Sequence, residues 1–261
     1  MTQVSAAAVT HPGLRRESNE DAFRARPDIG LFIVADGMGG HEAGEVASGL
    51  TVEVVESFVY ESRDADLNQT WPFPFDTTKT LDANRLIAAY RLANRRVASA
   101  MADNPALKGM ATTVAAVLIN RDAATACIAH VGDSRVYRMR DRVLQQMTQD
   151  HSWVTEQVRA GLLSDDDAHR HPWRNVVTRA ISGGDDPDVD VRELPVMAGD
   201  VLLVCSDGLS SVVGLDDMQT ALSSAGTQGA DLEAAASALV SAANAAGGPD
   251  NITVVLVRID V

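Results

Sequence analysis

The sequence contains few cysteines, and neither of them fits a catalytic pattern. Cys127 and Cys205 are the only two among 261 residues, and both lie in apolar runs. A cysteine in such a run is usually a small buried hydrophobic residue, so we expect no disulfide. Asp133 and Ser211 occupy the positions six residues later, where a thiolate mechanism would place an arginine to cradle phosphate. Cysteine-based catalysis is therefore not expected.

Membrane-spanning and export signals are also missing from the sequence. The longest apolar candidate is ATTVAAVLI at 111–119, which is far short of the roughly 18 residues that a membrane helix requires. The N-terminus, MTQVSAAAVTHPG, lacks a basic stretch followed by an apolar core. We predict a cytoplasmic protein that does not act at a membrane.

Positive charge is scarce relative to negative charge. The chain has 22 basic and 36 acidic residues, which gives a formal net charge of -14. Such a surface repels phosphate backbones and anionic lipids, so nucleic acid is not an expected partner. Carboxylates that hold cations would neutralise part of this excess. The acidic total therefore remains compatible with a phosphorylated substrate at one local site.

No internal linker divides the chain, so we predict one domain over residues 1–261. Apolar periodicity predicts a helix through Val46 and Phe58, a second at about 80–103, a brief one from Trp153 and another at about 229–246. The predicted strands are 3–10, 21–26, 30–35, four short runs within 111–147, 189–194, 200–205 and the closing ITVVLVRI.

Turn lengths and apolar faces together indicate the fold class. The four runs within 111–147 are joined by turns as short as NRD and RD, which force antiparallel neighbours. The last strand is apolar on both faces, so it should be covered on both sides. We predict an α+β fold, a four-layer α-β-β-α sandwich of two antiparallel sheets flanked by helix pairs. The polar segment at about 162–188 is predicted to form a mobile flap subdomain.

A proline-broken aromatic loop, WPFPF at 71–75, lies between the first two predicted helices. Its aromatic side chains favour packing onto the adjacent surface. The alternative is a knob that binds a partner protein.

Three aspartates stand at the ends of apolar runs. Asp36 and Asp207 each follow such a run and precede a glycine, and Asp250 precedes the last one in GGPDNITVVLV. Asp-Gly is a common turn dipeptide that needs no metal to explain it. Together with Asp250, however, the two pairs favour a single site whose ligands are all oxygen atoms. Such ligands suit Mg²⁺ or Mn²⁺ and point to metal-assisted hydrolysis.

An ordered set of motifs extends this pattern along the chain. They are GLRRESNED, VADGMGGHEAGE, GMATTV, HVGDSRVY, MTQDHS, HPWRNVVTRAISG, VCSDGLS and GGPDNITVVLV. In order and spacing they resemble the metal-dependent serine/threonine protein phosphatases of the PP2C (PPM) type, in their compact bacterial form. The eight motifs spread from residue 13 to 257 and so cover nearly the whole chain. No single motif is decisive, but the ordered set is highly specific.

The resemblance implies a site with two Mn²⁺ or Mg²⁺ ions. Asp36 would bridge the ions, Gly37 would offer a backbone carbonyl to one of them, and Asp207 and Asp250 would complete the other. Crowded carboxylates repel one another, so cations that neutralise them would stabilise such a cluster. The ions would lower the pKa of a shared water and supply hydroxide, so no covalent intermediate is expected.

Three residues near the N-terminus would complete the site. Arg16 would grip the phosphate with its planar guanidinium, and Glu20 and Asp21 would accept hydrogen bonds from metal-bound waters. Bacterial members of the family often bind a third cation, for which Asp133 and Asp207 would be ligands. Asn175 stands where some relatives ligate that ion with a serine.

The proton donor to the leaving oxygen is left open. Eukaryotic members carry a histidine two residues after the bridging aspartate, and Met38 occupies that position here. His41 is the substitute to consider, although in GGHEAGE it would equally cap or pack the following helix. A metal-bound water is a further candidate donor.

Other polar residues in the motifs are predicted to be structural. We expect His151 to hold the helix at the flap entry, Arg135 to pair with a carboxylate, and Arg179 to be structural or solvated rather than bound to phosphate. His169 and His171 lie on the predicted flap, where their spacing resembles a metal-binding pair only weakly.

Three functions fit at least part of this pattern. The favoured one is an active, monomeric phosphatase that hydrolyses phosphoserine and phosphothreonine on proteins and opposes a serine/threonine kinase. The alternative is a catalytically inactive phosphoprotein-binding module, which would have lost a metal ligand, and no core acidic position is lost here. A nuclease with two metal ions would need a basic groove, which the charge balance disfavours.

Overall fold

The structure is a computed structural model that describes residues 3–39, 42–64, 71–223 and 225–260. The strands of these residues are β1 (Gln3–His11), β2 (Asp21–Arg26), β3 (Leu31–Met38), β4 (Ala111–Thr112), β5 (Val114–Asn120), β6 (Thr125–Val131), β7 (Arg135–Arg140), β8 (Val143–Gln146), β9 (Asp190–Pro195), β10 (Val201–Cys205) and β11 (Ile252–Asp260). The helices are α1 (Glu42–Ser62), α2 (Leu81–Asp103), α3 (Trp153–Arg159), α4 (Asp165–Arg170), α5 (Asp207–Ser210), α6 (Leu215–Ala221) and α7 (Leu232–Ala245).

The strands form two antiparallel sheets. One sheet has the order β1-β11-β10-β7-β8, and the other has the order β2-β3-β5-β6-β9 with β4 paired to β3. The closing strand β11 lies between β1 and β10. Its Val255 and Val257 face the other sheet, and its Val254 and Leu256 face helices. The prediction that this strand is covered on both sides is confirmed.

Three apolar layers hold the sheets and helices together. Helices α1 and α2 pack on the second sheet through residues such as Leu86 and Ile33. The short α5 and the longer α6 and α7 pack on the first sheet, where Leu209 and Leu239 meet Leu203. A third cluster fills the space between the sheets. The order of layers is therefore helix, sheet, sheet, helix, which confirms the predicted four-layer sandwich.

Local sequence signals explain where the long helices begin and how they are fixed. Thr80 caps α2 by accepting a hydrogen bond from the Ala83 N–H, and Asp231 caps α7 in the same way. Arg85 on α2 is buried and donates to the backbone carbonyl of Ser62 at the end of α1. This bond fixes the two helices relative to each other over the sheet.

Short elements are where prediction and structure differ. The flap segment was predicted to be mobile, with no helix named in it, and it contains α4, which Ser164 caps. Helix α3 ends at Arg159 rather than near 163, because Gly161 adopts a left-handed conformation with a φ of +72°. Helices α5 and α6 were not predicted.

Isolated bridges join Ser152 to Val177 and Thr112 to Ile181, so backbone pairing ties the flap segment to the sandwich. A single domain over 1–261 stays a prediction.

The aromatic loop packs locally, as predicted. Trp71 makes edge contacts with Phe58 and Phe75, with ring centroids 5.7 and 5.8 Å apart. Phe73 is buried and lies beneath the Arg95 guanidinium, 4.3 Å from the ring centroid. The loop is therefore held against α1 and α2 by its own rings.

Two further predictions concern cysteines and membranes. Cys127 and Cys205 are free and buried. Burial raises the pKa of both thiols, that of Cys205 to about 12, so neither is a thiolate near neutral pH. Among the helices that the structure describes, none has both the length and the apolar character needed to cross a membrane.

The hydroxyl of Tyr90 provides a test of the contact between α2 and the second sheet. This fully buried side chain donates to the Ala129 carbonyl on β6 at 2.8 Å. We expect Tyr90→Phe to lower the free energy of unfolding by about 1–2 kcal/mol, because a buried acceptor loses its partner. The matched control Tyr60→Phe, at an exposed tyrosine, should change it by less than about 0.5 kcal/mol. Urea unfolding of the three proteins measures both values, and equal effects would contradict the assignment.

Candidate metal centre

The centre of the site is Asp36, which lies in β3 rather than after it. Strand β3 continues to Met38 and pairs with β4, so the strand does not end before Asp36 as predicted. The backbone of Asp36 exchanges hydrogen bonds with Thr113 at 3.3 and 2.9 Å. On the other side, Asp21 of β2 stands directly opposite Asp36. Both neighbours therefore fix the direction of the Asp36 carboxylate.

The glycines after the two aspartates are required by close packing. Neither Gly37 nor Gly208 has a positive φ. A Cβ on Gly37 would overlap the carbonyl oxygen of Gly44, and a Cβ on Gly208 would overlap that of Asn251. The Asp-Gly pairs are thus points where two backbone segments touch, and the turn interpretation of the dipeptides is wrong for both.

Asp207 is the first residue of α5, immediately after the end of β10. Ser206 stands between them, and its hydroxyl donates to Asp21 Oδ2 at 2.8 Å. Thr253 of β11 donates to the same oxygen at 2.6 Å. Asp21 is therefore held behind Asp36 and Asp207 by two buried hydroxyl groups.

Asp250 and Arg16 form the mouth of the site. The Arg16 Nη2 lies 2.7 Å from Asp250 Oδ2. The neighbouring Asn251 is buried, and its side chain donates to the carbonyls of Pro12 and Ser18 and accepts from the Glu20 N–H. Asn251 thus fixes the loop that carries Arg16. Sequence reasoning missed this residue, although it follows Asp250 directly in the motif GGPDN.

One cleft of about 260 Å³ collects most of the predicted site residues. Its lining includes Arg16, Glu20, Asp36, Gly37, Asp133, Asn175, Asp207 and Asp250. Asp21 is not among the lining residues and lies behind them. His41 falls outside the residues that the structure describes. The remaining lining residues are Met38, Gly39, Thr113, Val177 and Asn251.

The carboxylates in the cleft disfavour one another's charge. Partial burial and the Asp207 charge raise the pKa of Asp133 to about 7, and burial raises that of Asp21 to about 7 despite its two hydroxyl donors. Burial and the neighbouring aspartates raise the pKa of Asp36 and of Asp207 as well. Such a cluster holds protons or cations at neutral pH, but not its full negative charge.

The residues present fit a hard divalent cation. The side-chain donors in the cleft are carboxylate and amide oxygens, with no imidazole or thiolate among its described lining residues. Asp207 Oδ1 and Asp21 Oδ1 are buried and have no hydrogen-bond partner. A cation or its bound water would satisfy such oxygens, so the cleft suits Mg²⁺ or Mn²⁺.

His151 fixes the flap to the sandwich, as predicted. The His151 Nδ1 accepts a hydrogen bond from the Gly132 backbone N–H at 3.1 Å. The backbone N–H of His151 donates to the Gly132 carbonyl at 3.0 Å. Its Nε2 lies 3.3 Å from Asp190 Oδ2 and 3.3 Å from Arg179 Nη1. Its backbone carbonyl also accepts from the Thr178 N–H of the flap.

His151, His130 and Asp190 offer possible metal ligands within 4.8 Å of one another. The two imidazoles are stacked, however, with centroids 4.6 Å apart and an angle of 13° between the planes. A ring nitrogen binds a cation in the plane of its ring, and one ion cannot lie in two separate parallel planes. This cluster is therefore a packing contact and not a second metal centre.

Two arginines also have the structural roles that were predicted for them. Arg135 binds both oxygens of Asp150 at 2.9 and 2.7 Å. Arg179 lies 3.0 Å from oxygens of Asp188 and Asp190. Neither guanidinium lines the metal cleft.

Comparison with known proteins relates this arrangement to a family. The family model described as Protein phosphatase 2C matches residues 14–246. The serine/threonine phosphatase stp of Listeria monocytogenes is 37% identical over 259 residues, which cover 97% of this chain and 94% of that protein. The serine/threonine protein phosphatase PstP of Mycobacterium tuberculosis is 36% identical over 251 residues, which cover 96% of this chain and 44% of that protein.

Solved structures agree with the sequence comparison. The crystal structure of the Mycobacterium tuberculosis phosphatase PstP/Ppp superposes with a TM-score of 0.85 at 34% identity and covers 100% of both chains. The catalytic domain of PstP in complex with two manganese ions superposes with a TM-score of 0.81 at 33% identity, again over 100% of both chains.

The raised pKa values predict an unusual pH dependence of stability without metal. An aspartate whose pKa is about 7 when folded and about 3.9 when unfolded favours folding below the lower value. That contribution is lost as the pH rises from about 4 to about 7. We expect the Tm of the chelator-treated wild type to fall more steeply over this pH range than that of chelator-treated Asp133→Asn. The extra fall should be roughly 2–4 °C for each kcal/mol of unfolding free energy that Asp133 contributes.

Calorimetry of both proteins between pH 4 and 8 checks this expectation. Groups that titrate elsewhere in the chain contribute equally to both and cancel in the difference. Identical slopes for the two proteins would contradict the assigned repulsion at Asp133.

Proposed function

The chain belongs to the protein phosphatase 2C family, and from that premise we propose how its cleft hydrolyses phosphoserine and phosphothreonine in proteins. The chain is a metal-dependent protein serine/threonine phosphatase. One observation carries the proposed mechanism: Asp36, Asp207 and Asp250 come from distant parts of the sequence and meet in one cleft with Arg16 at its mouth. An inactive phosphoprotein-binding module is not favoured, because each of these positions is intact.

Two divalent cations are the proposed cofactors. PstP was crystallised with two manganese ions, and the oxygen donors of this cleft suit Mn²⁺ and Mg²⁺ alike. Asp36 would hold both ions, the Gly37 carbonyl would join it at one, and Asp207 and Asp250 at the other. When bound, the ions supply hydroxide at neutral pH and offset charge on the phosphoryl oxygens.

The protein itself contributes orientation and charge. Arg16 is held at the mouth by Asp250, and this pairing raises the pKa of its guanidinium, so its charge persists at every working pH. Its planar fork matches two phosphoryl oxygens. Glu20 lines the cleft, and Asp21 stands behind it with one oxygen fixed by hydroxyl groups. We propose that both accept hydrogen bonds from water in the site.

We propose direct attack by water without a phosphorylated enzyme, because the aspartates of the cleft would be occupied as cation ligands and the Thr113 hydroxyl is paired with that of Ser134. Met38 lies in the cleft where eukaryotic members carry a histidine. The proton for the leaving oxygen would therefore come from His41 or from a water in the site.

A third cation is proposed beside the pair. Asp133 and Asp207 repel each other, and Asn175 of the flap segment lines the same part of the cleft. A cation there would relieve that repulsion. Through Asn175 it would also connect the flap to the site.

The proposed partners are phosphoproteins of a serine/threonine kinase pathway. The net charge of -14 disfavours nucleic acid and anionic membranes, and two free, buried cysteines suit a reducing cytoplasm. We propose that the chain works there as a monomer in bacterial signalling.

The first test is phosphate release from a phosphothreonine peptide with Mn²⁺, with Mg²⁺ and with chelator. We expect metal-dependent release, which Asp207→Asn should lower by about a hundredfold or more because a ligand and its charge are lost. Asp216→Asn, at an exposed carboxylate of α6, is the matched control and should retain activity. Release that survives chelator, or that Asp207→Asn leaves intact, would refute the proposed site.

Metal stoichiometry tests the third cation. At saturating Mn²⁺ we expect Asp133→Asn to bind about one ion fewer per chain than the wild type, because the core ligands remain and only the Asp133 position loses its charge. Equilibrium dialysis with elemental analysis measures this difference. Equal stoichiometry in the two proteins would rule out a third ion at Asp133.

A further inference from the structure

Three aromatic rings, one from the start of α3 and two from the flap segment, form a group beside the turn that reaches the metal cleft. Trp153 at the start of α3 lies 4.9 Å from Trp173 and 4.8 Å from His171, measured between ring centroids. His171 and Trp173 also meet edge to face at 5.9 Å. We name these three residues the flap aromatic group. Trp173 is 54% exposed although it is a large apolar side chain.

Backbone hydrogen bonds hold this group in one arrangement. The Trp173 N–H donates to His171 Nδ1 at 3.1 Å, and the Trp153 N–H donates to the Val176 carbonyl at 2.8 Å. The bridge between Ser152 and Val177 continues this attachment. A binding surface fixed in this way loses little conformational entropy when it is occupied.

The group is joined to the cleft by a tight turn. The Val176 N–H donates to the Trp173 carbonyl at 3.0 Å, which closes a turn over residues 173–176. Asn175 lies within this turn, and Val177 is the first residue after it. Both line the metal cleft. Trp173 and the 44% exposed Val176 therefore lie at the rim of the cleft.

The substrate must cross this rim. A phosphoresidue whose phosphate reaches Asp36 brings its flanking chain over the edge, at about 3.3–3.6 Å per extended residue. Arg16, the proposed phosphate-binding residue, lines the same cleft as Asn175 of the turn. The turn that begins at Trp173 is therefore within reach of residues that flank the phosphoresidue. Exposed apolar groups at the edge of a functional cleft mark contact surfaces.

We propose that the flap aromatic group, with Trp173 as its exposed ring and Val176 beside it, binds an apolar side chain that flanks the phosphothreonine of the substrate. The inference rests on the proposed function and names the substrate feature that the flap would select. The ring faces offer dispersion and apolar contact, and Arg174 within the turn adds no negative charge that would repel a phosphorylated segment. The other occupants of such a surface, a second copy or an unrelated protein, are outcomes of the test.

The test compares two phosphothreonine peptides of equal length and charge. One has leucine or phenylalanine at the positions flanking phosphothreonine, and the other has alanine there. For the wild type we expect kcat/KM to favour the apolar peptide by about fivefold to tenfold, chiefly through KM. Trp173→Ala should bring the ratio close to one, and Trp173→Phe should keep most of the preference.

Met197→Ala is the matched control, because Met197 is 59% exposed and does not line the cleft. It should leave the peptide ratio unchanged. The ratio within each variant cancels any effect that is common to both peptides. If Trp173 only positions the flap, its removal would lower kcat for both peptides equally and leave the ratio intact, which would overturn the proposal.

A wild-type kcat/KM ratio near one would also overturn the proposal. So would a peptide preference that disappears when the protein self-associates, because a second copy would then be the occupant of this surface. Metal-dependent hydrolysis of p-nitrophenyl phosphate is measured in parallel, because this small substrate has no flanking residues. Hydrolysis of it without a peptide preference refutes the flap inference alone. Absence of hydrolysis of every substrate refutes the proposed function, and the inference with it.

Discussion

The mutual repulsion of carboxylates at one end of the sandwich is the constraint on which the site depends. Asp21, Asp36, Asp133 and Asp207 are half-buried, and each has a pKa raised by burial and by charged neighbours. A protein would not gather these groups for its own stability. Their proximity is tolerated because cations can replace protons as the neutralising charge, so metal affinity and instability of the metal-free site have the same cause.

The two sheets make this proximity possible. Asp36 comes from the sheet with β2 and β3, whereas Asp207 and Asp250 follow or precede strands of the other sheet. The hydroxyls of Ser206 and Thr253 reach from that sheet to Asp21. The apolar layer between the sheets therefore sets the spacing of proposed ligands that lie far apart in the sequence, such as Asp36 and Asp207.

Sequence reasoning recovered the layers and the acidic positions because both leave local signals. Alternating or continuous apolar runs identify strands, and an aspartate next to such a run is visible without a structure. The supporting residues leave no such signal. Asn251 and Ser206 act through partners far away in sequence, and the glycine at 37 is explained by contact with Gly44 rather than by a turn. Helices α5 and α6 were missed because four and seven residues are too few to show a helical period.

The flap and Asp36 are connected through one short chain of contacts. His151 binds both backbone groups of Gly132, and a Cβ on Gly132 would overlap the side chain of Thr113. Thr113 in turn holds the backbone of Asp36. Because Asp133 follows Gly132 directly, any shift of the flap entry must also move a proposed ligand of the third cation. The proposed substrate contact at the flap and the proposed third cation therefore share one support, which runs through Gly132.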